Sequence, residues 1–124
     1  MNNKKPYNRV DRVGSQILDI LSSILIKYID LSNLGFITFT YVRISPDLRN
    51  AKVFYSVLDS KKTDEEINIA INQKRKAFKK YMGPQLQLKS TPDLRFYRDE
   101  SILYEDKINH MLLQLNITEE KDDS

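Results

Sequence analysis

The 124-residue chain contains no cysteine and no tryptophan, one histidine, three glycines and four prolines. Without cysteine there can be no disulfide framework, zinc ribbon or thiol nucleophile, and a reducing compartment is compatible. A single histidine cannot build a usual zinc site without cysteine. His110, next to Met111 in a helical pattern, therefore reads as structural. There is no glycine-rich phosphate loop, no GKS/T string and no Ser-His-Asp pattern. Asp47, Asp93, Asp99 and Glu100 invite a paired-carboxylate reading, but turn duties account for Asp47 and Asp93. The expectation is a protein that is not an enzyme and uses no cofactor or metal. The longest apolar-rich run, Ile17 to Ile29, is interrupted by Asp19, Ser22, Ser23 and Lys27, so it does not span a membrane. The start, MNNKKPYNRVDR, lacks the apolar core of a signal peptide. A cytoplasmic location is expected.

Charge is plentiful and uneven. Lys+Arg number 20 and Asp+Glu 17, a formal +3. The stretch Glu119 to Asp123 carries four acids and one base, which leaves the rest of the chain at +6. A basic body with an acidic tail points to a polyanionic partner, most often nucleic acid. The length suits one domain. We expect a flexible lead over residues 1–8, a single domain over 9–117 and a disordered acidic tail over 118–124.

From Arg9 to Tyr28 the apolar residues Val10, Val13, Ile17, Leu21, Ile24 and Tyr28 recur at helical spacing, widened by Ile20 and Leu25. FITFTYVRI, residues 36–44, is rich in β-branched and aromatic residues and reads as a strand. Its parity changes midway: Ile37 and Phe39 share one face, Val42 and Ile44 the other. All four reach the core only if a β-bulge sits near Thr40-Tyr41. Ser45 to Asn50 is a turn, and Ala51 to Leu58 is the returning strand, with Ala51, Val53, Tyr55 and Val57 inward and Lys52, Phe54 and Ser56 outward.

Thr63-Asp-Glu-Glu66 matches a capping box. A long helix then runs to Gly83-Pro84, a C-cap glycine followed by proline. Ile67, Ala70, Ile71, Phe78, Tyr81 and Met82 fall on one face, and Lys74 falls in their midst. Burying that ammonium would cost several kcal/mol. Either the helix bends near 72–76 or Lys74 reaches past its edge. Leu94 to Arg98 alternates as a third strand, and a last helix is expected from about Ser101 to Leu115, with Ile108, Leu112 and Leu115 inward. PDLR occurs twice, at 46–49 and 92–95, but with unlike flanks. The two copies read as convergent turn chemistry, each leading into a strand, within one α-β-β-α-β-α domain.

Four ordered strings carry a resemblance. They are Arg9-Val10-x-x-Val13 with Ile17, then Thr38-x-Thr40-x-Val42-x-Ile44-Ser45-Pro46-Asp47-Leu48-x-x-Ala51-Lys52-Val53, then Leu86-x-Leu88-x-x-Thr91-Pro92-Asp93-Leu94-x-Phe96-x-x-Asp99-x-Ser101, and finally Ile108-x-x-x-Leu112-x-x-Leu115. Over about residues 8 to 115 the chain resembles the ribosome-binding factor A family. The resemblance implies an α+β, type II KH-like domain, a three-stranded mixed sheet with helices packed on one face. It also implies a non-enzymatic factor on the free immature small (30S) ribosomal subunit. Such a factor acts late in maturation of 16S rRNA, particularly in the cold, as a monomer, with a GTPase as release factor in relatives. The Gly-x-x-Gly loop of strand-gripping KH domains is absent. The family's helix kink, Ala-x-Gly, would fall at Lys74-Arg75-Lys76, where neither residue is present. Glu105-Asp106 stands where the family commonly has a glycine.

Lys74, Arg75, Lys76, Lys79 and Lys80 place five bases in seven residues. They are read as the centre of an rRNA-binding surface, against the alternative of a solvated helix face. Arg9 and Arg12 at the first helix, and Lys89 and Arg98 around the third strand, are expected to help. Arg95 and Tyr97 point outward and could stack on bases; an ordinary exposed sheet face is the competing reading. Outward Phe54 fits a partner contact or a small cluster under a terminus. A generic single-stranded RNA binder, a protein-docking module with a basic face and a nuclease are the rival functions.

Overall fold

The structure is a computed structural model and describes residues 9–100. Helix α1 (Arg9–Lys27) leads through a 3-10 turn to strands β1 (Phe36–Ile44) and β2 (Asn50–Leu58). Helices α2 (Asp64–Asn72) and α3 (Arg75–Met82) precede strand β3 (Asp93–Arg98). The sheet order is β1-β2-β3, with β1 and β2 antiparallel and β2 and β3 parallel. The helices cover one face, α1 over β1 and α2 and α3 against β3. This is the expected α+β, type II KH-like arrangement as far as β3. The helix expected at 101–115, the lead 1–8 and the domain boundary at 117 lie outside the described residues.

The core is the inward side of that sandwich. Ile17, Leu21 and Ile24 of α1 are buried against Ile37, Phe39, Val42 and Ile44 of β1. Gly14 lets the two elements approach, since a Cβ there would stand 3.0 Å from the Val42 carbonyl oxygen. Phe39, Phe78 and Phe96 join β1, α3 and β3, with ring centroids 5.3 to 5.6 Å apart. Each such aromatic pair contributes roughly 0.5–1.5 kcal/mol beyond its burial.

The expected bulge is present. The pairing runs Phe39↔Tyr55 and then Tyr41↔Phe54, which leaves Thr40 unpaired. The Thr40 hydroxyl donates to Asp99 Oδ2 at 2.5 Å and also lies 3.3 Å from the Phe54 carbonyl. The extra residue keeps Val42 and Ile44 buried and turns Tyr41 outward.

Of the two readings at Lys74, the structure takes the bend. The helix stops at Asn72 and restarts at Arg75, and Lys74 between them has φ −96° and ψ 6° with an exposed side chain. No glycine is needed, because that backbone conformation is open to lysine. Side-chain amides pin the break. Asn72 Oδ1 accepts from the Phe96 N–H at 2.9 Å, and its Nδ2 donates to the Phe96 carbonyl at 3.0 Å. Asn68 Nδ2 also donates to Phe96 O and to the Tyr55 hydroxyl, both at 3.1 Å. Arg75 Nε donates to the Asn72 carbonyl at the end of α2. These two asparagines satisfy the N–H and carbonyl that Phe96 presents on the free edge of β3, which would otherwise be unpaired.

Several expectations need correction. Gly83 caps α3 as expected, but with right-handed φ and ψ (−49°, −52°) that lead into a 3-10 turn and do not themselves require glycine. Space explains it better, since a Cβ would stand 3.1 Å from Thr91 Oγ1. Tyr28 and Tyr81 are not core residues: they are 57% and 40% exposed and stack on each other at 4.8 Å. The first PDLR is a turn, in which Asp47 Oδ1 accepts from the Arg49 N–H and the Ser45 hydroxyl. The second is not. Pro92 is buried, Asp93 to Arg95 already pair with Asn50 to Lys52, and the Asp93 N–H donates to the Arg49 carbonyl. The two copies touch as the start of the parallel ladder. The capping box forms as expected, with Glu66 N–H donating to Thr63 Oγ1 and Thr63 N–H to Glu66 Oε1.

Candidate nucleic-acid interface

The break in the second helical segment decides where the charges go. It gives α3 its own N-terminus beside the first residues of β2 and β3. A groove of about 460 Å³ lies there, lined by Asn50, Ala51 and Lys52 of β2, by Arg75, Lys76 and Lys79 of α3, and by Asp93, Leu94, Arg95 and Tyr97 of β3. Five of these residues are cations and one is an acid. No acid occupies the first turn of α3, where the helix dipole would favour one, and two bases stand there instead. Charge at this end of α3 is electrostatically unrelieved from within its own helix, which suits an anionic ligand. A second groove shares Arg75, Arg95 and Tyr97 and runs along the edge of β3 past Asn68 and Asn72.

The acid, Asp93, sits inside the basic groove and pairs with Lys79 Nζ at 2.7 Å. That hydrogen bond and charge hold its carboxyl below the usual range, with Arg75 adding to the effect. Lys79 is therefore partly occupied, while Lys52 lies over the Tyr97 ring, its Nζ 5.8 Å from the centroid.

The structure divides the nine expected site residues. It brings Arg75, Lys76 and Lys79 together in the groove. Lys74 and Lys80 are exposed on either side of them but do not line it. Arg9 and Arg12 are exposed at the start of α1, over β1 and not over β3, and Lys89 is exposed in the segment before β3. Arg98 is placed differently. It shares the helix-side parity of Leu94 and Phe96, its side chain is only 19% exposed, and it forms an ion pair with Asp64 in the first turn of α2. Its role there is to tie β3 to α2. Lys52 is absent from the expected set, and Arg95 enters the expectations only as a candidate for stacking on bases beside Tyr97, not as part of the basic cluster. Strand parity shows both as outward, but their meeting with α3 depends on β3 lying parallel beside β2, with Lys52 opposite Arg95. Among the described residues, no cluster of three or more His, Cys, Asp or Glu could hold a metal, and no helix is long and apolar enough to cross a membrane.

Comparison with known proteins matches residues 9–112 to the family described as Ribosome-binding factor A. The chain belongs to the ribosome-binding factor A family. A relative named Ribosome-binding factor A from Pediococcus pentosaceus is 36% identical over 109 residues, covering 87% of this chain and 94% of its own. In fold, the chain is similar to the crystal structure of ribosome-binding factor A from Thermus thermophilus, with a TM-score of 0.61 at 17% identity over 74% of this chain and 97% of that one. It is also similar to the Thermus thermophilus ribosome binding factor A homology model fitted into the cryo-EM map of a 30S–RbfA complex, with a TM-score of 0.58 at 16% identity over 73% and 96%. The α2–α3 break at Gln73-Lys74 meets the first residue of Lys74-Arg75-Lys76, the stretch where the resemblance implies a kink, and contains neither alanine nor glycine.

Proposed function

We propose that the protein is a non-enzymatic ribosome assembly factor of the cytoplasm. It binds the free immature small subunit through 16S rRNA and promotes late maturation of that RNA, as a monomer and with release by a GTPase. The observation that carries the reading is the groove, where Lys52, Arg75, Lys76, Lys79 and Arg95 converge around a new helix start in a chain of this family. The Thermus relative fitted into a 30S complex supports the choice of subunit. The action is steric and electrostatic. Cations placed by α3, β2 and β3 neutralise backbone phosphates and hold an rRNA segment against the helix–sheet junction. Bound protein then delays the partners of the mature subunit.

With about four phosphates neutralised, the logarithm of affinity falls with the logarithm of salt concentration at a slope of roughly −3 to −4. The direct test is sedimentation of cell extract through a sucrose gradient, comparing wild type with Lys52→Glu/Lys76→Glu. Both lysines are exposed and neither makes an ion pair among the described contacts, so the variant should fold. The expected result is wild type with free small subunits and absent from polysomes, with the variant left at the top of the gradient. Wild type staying at the top at low salt would overturn the function. A variant that still co-sediments would move the interface off the groove.

A further inference from the structure

The outward face of the sheet has no helix over it among the described residues, and its side chains form two ladders across all three strands. One is aromatic: Tyr41 pairs with Phe54 and Phe54 with Tyr97, with ring centroids 6.1 and 5.9 Å apart and tilts of 32° and 33°. The next, two residues along each strand, is cationic: Arg43 pairs with Lys52 and Lys52 with Arg95. An aromatic ladder alone is an ordinary stabiliser of a sheet. Three cations directly opposite one another are not, because like charges in cross-strand positions destabilise the pairing. The only acid on the outward side of the strands, Asp93, is engaged by Lys79. Asp11 of α1 borders Arg43 at one end of the ladder and the Tyr97 ring lies under Lys52, but the row of three cations across the strands still presents concentrated positive charge that suits an anionic partner. The bulge at Thr40 is what makes the aromatic ladder complete, since without it Tyr41 would keep the inward parity of Ile37 and Phe39.

We propose that this face is a second RNA-binding surface that takes unpaired nucleotides, with bases on Tyr41, Phe54 and Tyr97 and phosphates on Arg43, Lys52 and Arg95. The proposal rests on the rRNA reading above and adds the form of RNA recognised. The ladders lie roughly 7 Å apart along the strands, comparable to the reach from a base to its own phosphate. Base faces are available for stacking only when unpaired, so duplex RNA does not fit here. The surface is continuous with the groove, which shares Lys52, Arg95 and Tyr97. A single strand leaving the groove would thus run across the sheet.

The test uses the full chain and two labelled probes in fluorescence anisotropy, an unstructured 12-nucleotide RNA and a 12-base-pair RNA duplex. Tyr41→Leu/Arg43→Gln alters the sheet face and leaves the lining of the groove intact, and Lys76→Gln alters the groove and not the ladders. The double variant should bind the single strand about tenfold more weakly and the duplex within twofold of wild type. Lys76→Gln should weaken both. In wild-type NMR titrations with the single strand, amide shifts should spread over 41–43, 52–54 and 95–97. Unchanged single-strand affinity, equal loss on both probes, or shifts confined to α3 would overturn the proposal and would mean that another part of the chain or a protein covers this face. If that happens while wild type still sediments with small subunits, only the sheet-face inference falls. If wild type binds neither probe and does not sediment with subunits, the rRNA reading falls as well.

Discussion

Asn72 exchanges two hydrogen bonds with the backbone of Phe96, while its own carbonyl accepts from Arg75. Replacing it with leucine leaves the Phe96 N–H without this partner and its carbonyl with Asn68 Nδ2 alone, near a buried ring. A loss of about 2–4 kcal/mol in urea unfolding is expected; a change under about 0.5 kcal/mol would mean that water substitutes for the amide. Asp93 is the opposite case, an exposed residue whose importance lies in the interface. It occupies Lys79 and subtracts one charge from the groove. Asp93→Asn should raise RNA affinity about two- to fivefold and steepen its salt dependence. Unchanged affinity would place Lys79 outside the interface. Neither role is readable from residue type. In the sequence Asn68 and Asn72 are ordinary polar positions on a helix, and Asp93 is a turn residue, because the strand edge and the lysine they meet come from other parts of the chain.

At the scale of elements, pattern is informative wherever one face is buried. The helical stripe of α1, the alternation in β2, the capping box at Thr63 and the parity switch in β1 all follow from sequence alone. The parity switch gives a sharp prediction. Deleting Thr40 removes the bulge and forces either Val42 and Ile44, or Ile37 and Phe39, toward solvent. Two large residues leaving the core cost about 4 kcal/mol or more. The deletion variant should lose cooperative thermal unfolding by circular dichroism, and a native-like transition would show that β1 realigns by another route. Thr40→Ser keeps the extra residue and the hydroxyl and should retain the fold. The second helical segment is legible only as an anomaly. Lys74 on an apolar face announces that something gives way, but the side that gives way is decided by Asn72 and by Lys74's tolerance of a non-helical backbone.

For the whole molecule, charge sets both stability and binding. Asp47 is held below its ordinary pKa by the Ser45 hydroxyl and the Arg49 N–H, Glu66 by the Thr63 backbone and hydroxyl, and Asp93 by Lys79. In each case the folded chain binds the proton more weakly than the unfolded chain. The stability from these contacts is complete above the ordinary carboxylate range, about pH 4, and is lost as pH falls through the lower folded values. Urea midpoints should be flat from about pH 7 to 5 and decline below about pH 4, with Glu66→Gln showing a shallower decline. A midpoint that stays constant to about pH 3 would contradict the assigned contacts.

Local sequence determined α1, the three strands, most of their inward residues, the bulge, the capping box and the family, because each of these depends on residues within a few positions of one another or on strings kept in order. Arg75, Lys76 and Lys79 were legible as a cluster for the same reason. Tertiary structure alone decided which cations act together. The parallel pairing of β2 with β3 set Lys52 beside Arg95, the break at Lys74 turned α3 toward them, and Arg98 was drawn to Asp64 on the other side of the strand. Interactions between exposed charges are largely screened beyond about 8–10 Å at physiological salt, so a charged site is defined by distances across the fold, and those are fixed only when distant segments pack.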